Sequence, residues 1–274
     1  MDCIAIIPAR FASTRFPGKL LAPIAGRPLI QHVVEAAQGV PGIDVVVVAT
    51  DDERIREAAR ATSADVVMSS GEFASGTDRV AAAASQYSAD VIVNVQGDEL
   101  LLDPDAVGVA LGRFRESAFE LGTLRASLTE RHDLWDPNVV KVVIDNSERA
   151  LYFSRAPLPF PRDDWQAARD VALQESPKDP GKTVSWPFPA AAGAQPSSAW
   201  VHVGVYLYRP QALRRWATME PSPLEKVEGL EQLRVIEAGE QMQTYLVNQA
   251  IPGVNTPEDL ERAVVALAAR GSGG

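Results

Sequence analysis

Four short apolar runs, each followed by an Ala- or Leu-rich stretch, govern what this chain can fold into. Cys3–Ile7, Val45–Ala49, the weaker Asp65–Met68 and Val91–Val95 carry little polar alternation. Runs of that kind suit strands buried on both faces. Leu29–Gln38, Asp52–Ala61, Arg79–Tyr87 and Pro104–Arg115 read as helices, with Asp51 and Asp103 as N-caps. Strand and helix in alternation imply βαβ units around a mainly parallel sheet. The expected fold class is α/β, three-layer and Rossmann-like.

The second half is less regular. Leu121–Leu128, Val139–Ile144 and Val201–Tyr208 read as strands, and Gln211–Met219, Leu224–Ala238 and Pro257–Ala269 as helices. Pro157–Ser198 has repeated Pro, scattered Asp and Arg, and an Ala/Gly/Ser-rich end. It reads as a long mobile loop, a lid or an insertion. No internal repeat is visible. A chain of 274 residues buries enough surface to need no disulfide or metal staple. We expect one domain over 1–274, with one half over about 1–120 and a second region over about 121–255.

Charge and cysteine usage exclude several classes. Lys and Arg number 26 against 36 Asp and Glu, a formal charge of −10. That balance argues against a general nucleic-acid or anionic-membrane binder. No segment reaches the roughly 18–20 apolar residues of a membrane span. The start, Met1-Asp2-Cys3, has no basic n-region, so no secretory signal is expected. Cys3 is the sole cysteine and reads as a small buried hydrophobe in a reducing compartment, which makes the expected location cytoplasmic.

Against that acidic background, residues 1–34 hold Arg10, Arg15, Lys19 and Arg27 with Asp2 as the one acid, a local +3. Three of these cations lie in Pro8–Lys19, directly after the first strand. In open parallel sheets ligands sit beyond the carboxyl ends of strands. Ser13, Thr14 and Gly18 permit a tight loop with N–H groups turned toward phosphate oxygens. The segment is neither a Walker A loop nor a GxGxxG fingerprint. An exposed basic loop capping a strand is the plainer alternative. Gln96-Gly97-Asp98-Glu99 ends the fourth strand on the same sheet edge. A carboxylate there suits Mg²⁺ held against phosphate, since Mg²⁺ takes one or two carboxylates plus phosphate oxygens. A simple turn followed by an N-cap is the alternative.

Nine stretches together carry a resemblance. They are IIPARFASTRFPGK (6–19), VATDD (48–52), SGTDR (75–79), VIVNVQGDE (91–99), NVVKVV (138–143), ALYFSRAPLP (150–159), HVGVYLYR (202–209), PSPLEKVEGLEQLRV (221–235) and NTPEDLER (255–262). In this order, over nearly the whole chain, they resemble the 3-deoxy-manno-octulosonate (KDO) cytidylyltransferases, also called CMP-KDO synthetases. The resemblance implies a nucleotidyltransferase sheet with an added acceptor and dimerisation region, and a homodimer. It implies CTP and a small acidic acceptor as substrates, Mg²⁺ as cofactor, and CMP–acceptor and pyrophosphate as products. Carried onto matching positions, Arg10, Arg15 and Lys19 neutralise the triphosphate, with Lys19, Arg10 and Asp98 catalytic. Pro8, Ala9, Arg10, Ser75, Gly76, Thr77 and Arg79 frame the nucleotide, with Gln96 on the same side. Asp98 is the implied Mg²⁺ ligand. Arg155, His202, Tyr206, Glu231 and Gln232 fall where the family binds its acid sugar, with Arg155 suited to a bidentate carboxylate clamp. For His202 and Tyr206 a core role, and for Glu231 and Gln232 an exposed helix face, stay open. His32 and His132 read as structural. Leu100 replaces the proline usual after Asp-Glu, a mild change.

Two departures bear on the acceptor. The family's second metal-ligand Asp is Asn255 here, a neutral amide that still offers Mg²⁺ an oxygen. The Pro157–Ser198 loop is longer than usual. With KDO as the family's default acceptor, these changes leave two alternatives: the same chemistry on a small phosphonate such as phosphonoformate in phosphonate-antibiotic biosynthesis, or a nucleotide-binding protein without turnover.

Overall fold

The computed structural model describes residues 1–12, 16–69, 73, 75–100, 102–128, 131–159, 200–248, 259–261 and 263–265. Its parallel half runs β1 (Cys3–Ala9), a short hairpin of β2 (Pro23–Ile24) and β3 (Arg27–Pro28), α1 (Leu29–Gln38), β4 (Val45–Thr50), α2 (Glu53–Arg60), β5 (Asp65–Met68), α3 (Gly76–Ala84), β6 (Val91–Val95) and α4 (Pro104–Glu116). The second half adds β7 (Leu121–Ser127), β8 (Lys141–Ile144), β9 (Ala150–Ser154), β10 (Trp200–Tyr208) and β11 (Met242–Val247). One sheet takes strands from both halves in the order β11-β7-β10-β6-β1-β4-β5, with β8 on β10 and β9 on β8. The β1/β4, β1/β6, β4/β5 and β7/β11 pairs are parallel, and β10 is antiparallel to β6 and β7.

The period of two along β1 builds the layers. Cys3, Ala5, Ile7 and Ala9 pack with Val33 and Val34 of α1, Ile55 of α2 and Phe114 of α4. Ile4 and Ile6 point the other way, into a cluster with Val80 of α3 and Trp216 of the Pro210–Thr218 helix. Side chains alternate across a strand, so a strand apolar at every position must be covered on both faces. Each such Ile, Leu or Val contributes about 1.5–3 kcal/mol by leaving water.

Several boundaries differ from expectation for local reasons. β1 continues through Pro8 to Ala9. Even-numbered β1 residues face β6, as the bond from Val91 N–H to the Asp2 carbonyl shows, and β6 pairing ends at Ile6 opposite Asn94. The missing Pro8 donor therefore interrupts no ladder bond. Asp52, not Asp51, caps α2 by accepting from Arg54 N–H, while Asp51 pairs with buried Arg79. α3 begins three residues early because Ser75 and Asp78 close a capping box. The single helix expected over Leu224–Ala238 is two, Pro223–Glu228 and Leu233–Glu237, since Gly229 takes φ 63° and ends the first. β9 and β11 were not expected. β11 hides Gln243 and Thr244 in a strand, their polar atoms donating to the Ser147 and Glu148 carbonyls. His32 is held structurally, its Nε2 2.9 Å from the Ile24 carbonyl. The Pro257–Ala269 stretch is helical where described, at 259–261 and 263–265.

Candidate active site

β1 and β6 are neighbours whose chain exits diverge, from β1 through α1 to β4 on one side and from β6 through α4 to β7 on the other. At such a reversal the carboxyl ends of adjacent strands part and leave a crevice. Here a cleft of about 270 Å³ opens, lined by Pro8 of β1, Arg10 and Lys19 after it, Gly76 at the start of α3, Gln96 and Asp98 after β6, and Glu231.

The described ends of the basic loop are tied together, while Ser13 and Thr14 lie outside the described residues. Gly18 N–H donates to the Phe11 carbonyl at 3.0 Å, and the Arg54 guanidinium stacks 3.4 Å from the Phe11 ring centre. A short 3₁₀ turn, Lys19–Leu21, then carries Lys19 back to the cleft. Its ammonium donates to Asp98 Oδ2 at 2.6 Å, both side chains being largely shielded at 16% and 21% exposure. Arg15 lies outside the described residues. The loop and turn come together through Lys19 and Asp98, with Arg10 lining the same cleft.

The nucleotide stretch divides in two. Gly76 faces Pro8 and Gln96 across the cleft. Ser75 caps α3, and Thr77 donates its hydroxyl to Glu231 at 2.7 Å. Arg79 is buried and bonded to Asp51 and Ser69, each at 2.6 Å, so it braces the base of α3 and does not line the cleft.

Among the acceptor candidates, Glu231 stands on the α3 N-terminus, also accepting from Gly76 and Thr77 N–H. Gln232 beside it is buried. His202 and Tyr206 come together, their ring centres 5.3 Å apart, with Phe153 edge-on to His202 at 5.0 Å. Arg155 differs from expectation. Its guanidinium donates to the carbonyls of Glu228, Pro137 and Gly229 at 2.8, 2.7 and 3.3 Å and is not part of the cleft lining. A carboxylate clamp needs that fork open, and here it ties loop to helix end. Asn255 and residues 160–199 lie outside the described residues, as does the side chain of His132.

The His202 network assigns its tautomer. The Thr123 hydroxyl gives its one proton to the Val205 carbonyl at 2.8 Å and so must accept from His202 Nε2 at 2.8 Å. Nδ1 then carries no proton. Burial pulls the imidazole down to about 3. Its folded pKa lies below the unfolded value near 6.5, so the unfolded chain takes the proton first. Stability is full above about pH 6.5 and falls as pH drops toward 3. Between pH 7.5 and 5 the loss from this group is roughly 1–2 kcal/mol. Urea titrations should show His202→Gln losing less stability than the parent over that interval. Equal losses would contradict the assignment.

Two residues without an expected role also belong here. Glu99 Oε1 accepts from Gly204 N–H at 3.0 Å, and Gln96 N–H donates to the Gly204 carbonyl at 3.2 Å. Burial, with Asp98 adjacent, pushes the Glu99 carboxyl up to about 8, against the pull of Gly204 N–H and Lys19. An isolated Gly inside the apolar run 201–208 was the available signal, since it marks a bulge or a close backbone approach.

Comparison with known proteins now places the chain. The cytidylyltransferase family pattern matches residues 4–242. The 3-deoxy-manno-octulosonate cytidylyltransferase of Geobacter sulfurreducens is 44% identical over 268 residues, covering 97% of this chain and 100% of that one. That of Solibacter usitatus is 41% identical over 260 residues, covering 94% and 92%. A solved CMP:2-keto-3-deoxy-manno-octonic acid synthetase, complexed with CTP, superposes with a TM-score of 0.81 at 34% identity, covering 98% of this chain and 100% of that one. The chain belongs to the KDO cytidylyltransferase family. It is a nucleotidyltransferase on the expected α/β, mostly parallel sheet. Among the described residues, no helix is long and apolar enough to cross a membrane.

Proposed function

We propose that this chain transfers CMP from CTP to a hydroxyl of KDO and releases pyrophosphate. The observation that carries the reading is the meeting of Arg10, Lys19 and Asp98 in one cleft at the β1/β6 crevice. The acceptor oxygen forms a bond to the α-phosphorus as the α–β bridging bond breaks. Such a step needs positioning and charge neutralisation more than covalent chemistry.

Arg10 holds phosphate oxygens as a planar fork. Lys19 reaches the leaving pyrophosphate on its flexible stem by exchanging an Asp98 oxygen for a phosphate oxygen. Pro8, Gly76 and Gln96 frame the nucleoside, with Ala9, whose side chain is in the core, contributing backbone only. Glu231, which lines the cleft, is assigned to the acceptor side, together with His202, Tyr206 and Gln232, which lie outside that lining.

Cytidylyltransferases generally use a divalent metal, and we assign Mg²⁺. No group of three or more metal-binding side chains exists among the described residues. The donor set nonetheless fits an ion that needs one or two carboxylates and takes its other oxygens from phosphates and water. Asp98 would hold it, with Asn255 as second ligand. When bound, Mg²⁺ would neutralise phosphate charge at the reacting centre. A cytoplasmic homodimer belongs to the same reading.

Pyrophosphate release, measured with CTP, UTP, ATP and GTP against KDO and phosphonoformate, tests the proposal. We expect turnover with CTP and KDO and little with either purine nucleotide. Equal use of a purine triphosphate would overturn the nucleotide assignment, and preference for phosphonoformate would overturn the acceptor.

A further inference from the structure

β10 has a bulge against β7, where the register shifts between Val203 and Tyr206. A bulge leaves backbone groups without ladder partners. Gly204, inside the bulge, turns its own N–H and C=O to the opposite edge, where the pairing with β6 ends at Val205 opposite Val95 and the turn after β6 takes them up. The Gly204 carbonyl accepts from Gln96 N–H, and Gly204 N–H donates to Glu99 Oε1. Both ends of the Gln96–Glu99 turn therefore grip one residue of β10, with Asp98 between them. β10 also carries His202 and Tyr206, two residues to either side.

The fit requires glycine. A Cβ at position 204 would lie 2.5 Å from Glu99 Oε1 and 3.2 Å from Gln96 Cγ. Real Cβ atoms do not approach so closely, so a side chain here must displace Glu99.

We propose that Glu99 is a positioning residue for the transfer: by holding Gly204 N–H it sets the distance between Asp98 and the acceptor wall of β10. This rests on the reading of Asp98 as the metal-side carboxylate. Glu99 touches neither substrate in this account. Its work is geometric and needs an acceptor oxygen at the end of a side chain of this length. A displacement near 1 Å in such a turn lowers turnover by about 10²-fold.

The test compares Glu99→Ala, Glu99→Gln and Gly204→Ala with the parent, using the full chain, CTP, KDO and Mg²⁺. Thermal melts identify folded variants. Glu99→Ala and Gly204→Ala should lower kcat by about 10²-fold, with the KM for CTP within about threefold of the parent, because the basic loop is untouched. Glu99→Gln, which keeps an acceptor oxygen for Gly204 N–H, should recover most of kcat. Parental kcat in folded Glu99→Ala would overturn the proposal. So would Glu99→Gln as impaired as Glu99→Ala, or a loss confined to the KM for CTP. If either alanine variant fails to fold, the recovery in Glu99→Gln and the remaining alanine variant still decide it. A parent inactive on CTP with KDO would refute the function itself, whereas an active parent with indifferent Glu99 variants would refute the positioning role alone.

Discussion

Lys19→Ala is expected to lower turnover on CTP by about 10²–10³-fold, the usual loss when one preorganised charge stabiliser is removed. The ammonium sits 2.6 Å from Asp98 in a shielded cleft, where charge interactions exceed those in open solvent. Lys19 also competes with any cation for the Asp98 oxygen. The Mg²⁺ concentration for half-maximal activity should therefore hold or fall in Lys19→Ala while turnover collapses. Steady-state kinetics over a Mg²⁺ series read both quantities. Near-normal turnover would reduce the basic loop to a solvated surface.

Asp98→Asn should move the metal requirement the opposite way. A unit charge about 4 Å from another is worth roughly 4 kcal/mol at an effective dielectric near 20. Its removal corresponds to a turnover loss on the order of 10³-fold. The Mg²⁺ needed for half activity should rise sharply, because the amide oxygen lacks a full charge. Lys19 loses its ion-pair partner in the same variant, so the protein should remain folded with Lys19 turned to solvent or substrate. Full activity in chelator, or an unchanged Mg²⁺ requirement, would remove Asp98 from the metal site. Opposite shifts in the two variants separate the pair's roles better than either loss of rate alone.

Much of this cleft was legible because its parts are local. The apolar run of β1 places Pro8–Lys19 at a strand's carboxyl end, and that of β6 does the same for Gln96–Glu99. Alternation of strand and helix makes both strands parallel, so the two segments share an edge. The sequence also marked Asp103 as the α4 cap, which accepts from Ala106 N–H. What it left open was partnership. Glu99 meets Gly204 across 105 residues, and Glu231 meets Gly76 across 155. Arg155 was free on paper to hold a carboxylate and is bound to three carbonyls instead.

The physical division is between period and pairing. Side-chain periodicity says which face of a strand is buried, and residue type says where a helix starts and which loop carries charge. By themselves these determined the three-layer α/β fold, the basic loop and the carboxylate turn. Neither says which strand lies beside which, because a run buried on both faces is equally satisfied by any apolar neighbour. Tertiary structure alone inserted β10 antiparallel between β6 and β7. That insertion placed the bulge at Gly204 over the Gln96–Glu99 turn, where a backbone donor without a ladder partner found the Glu99 carboxyl.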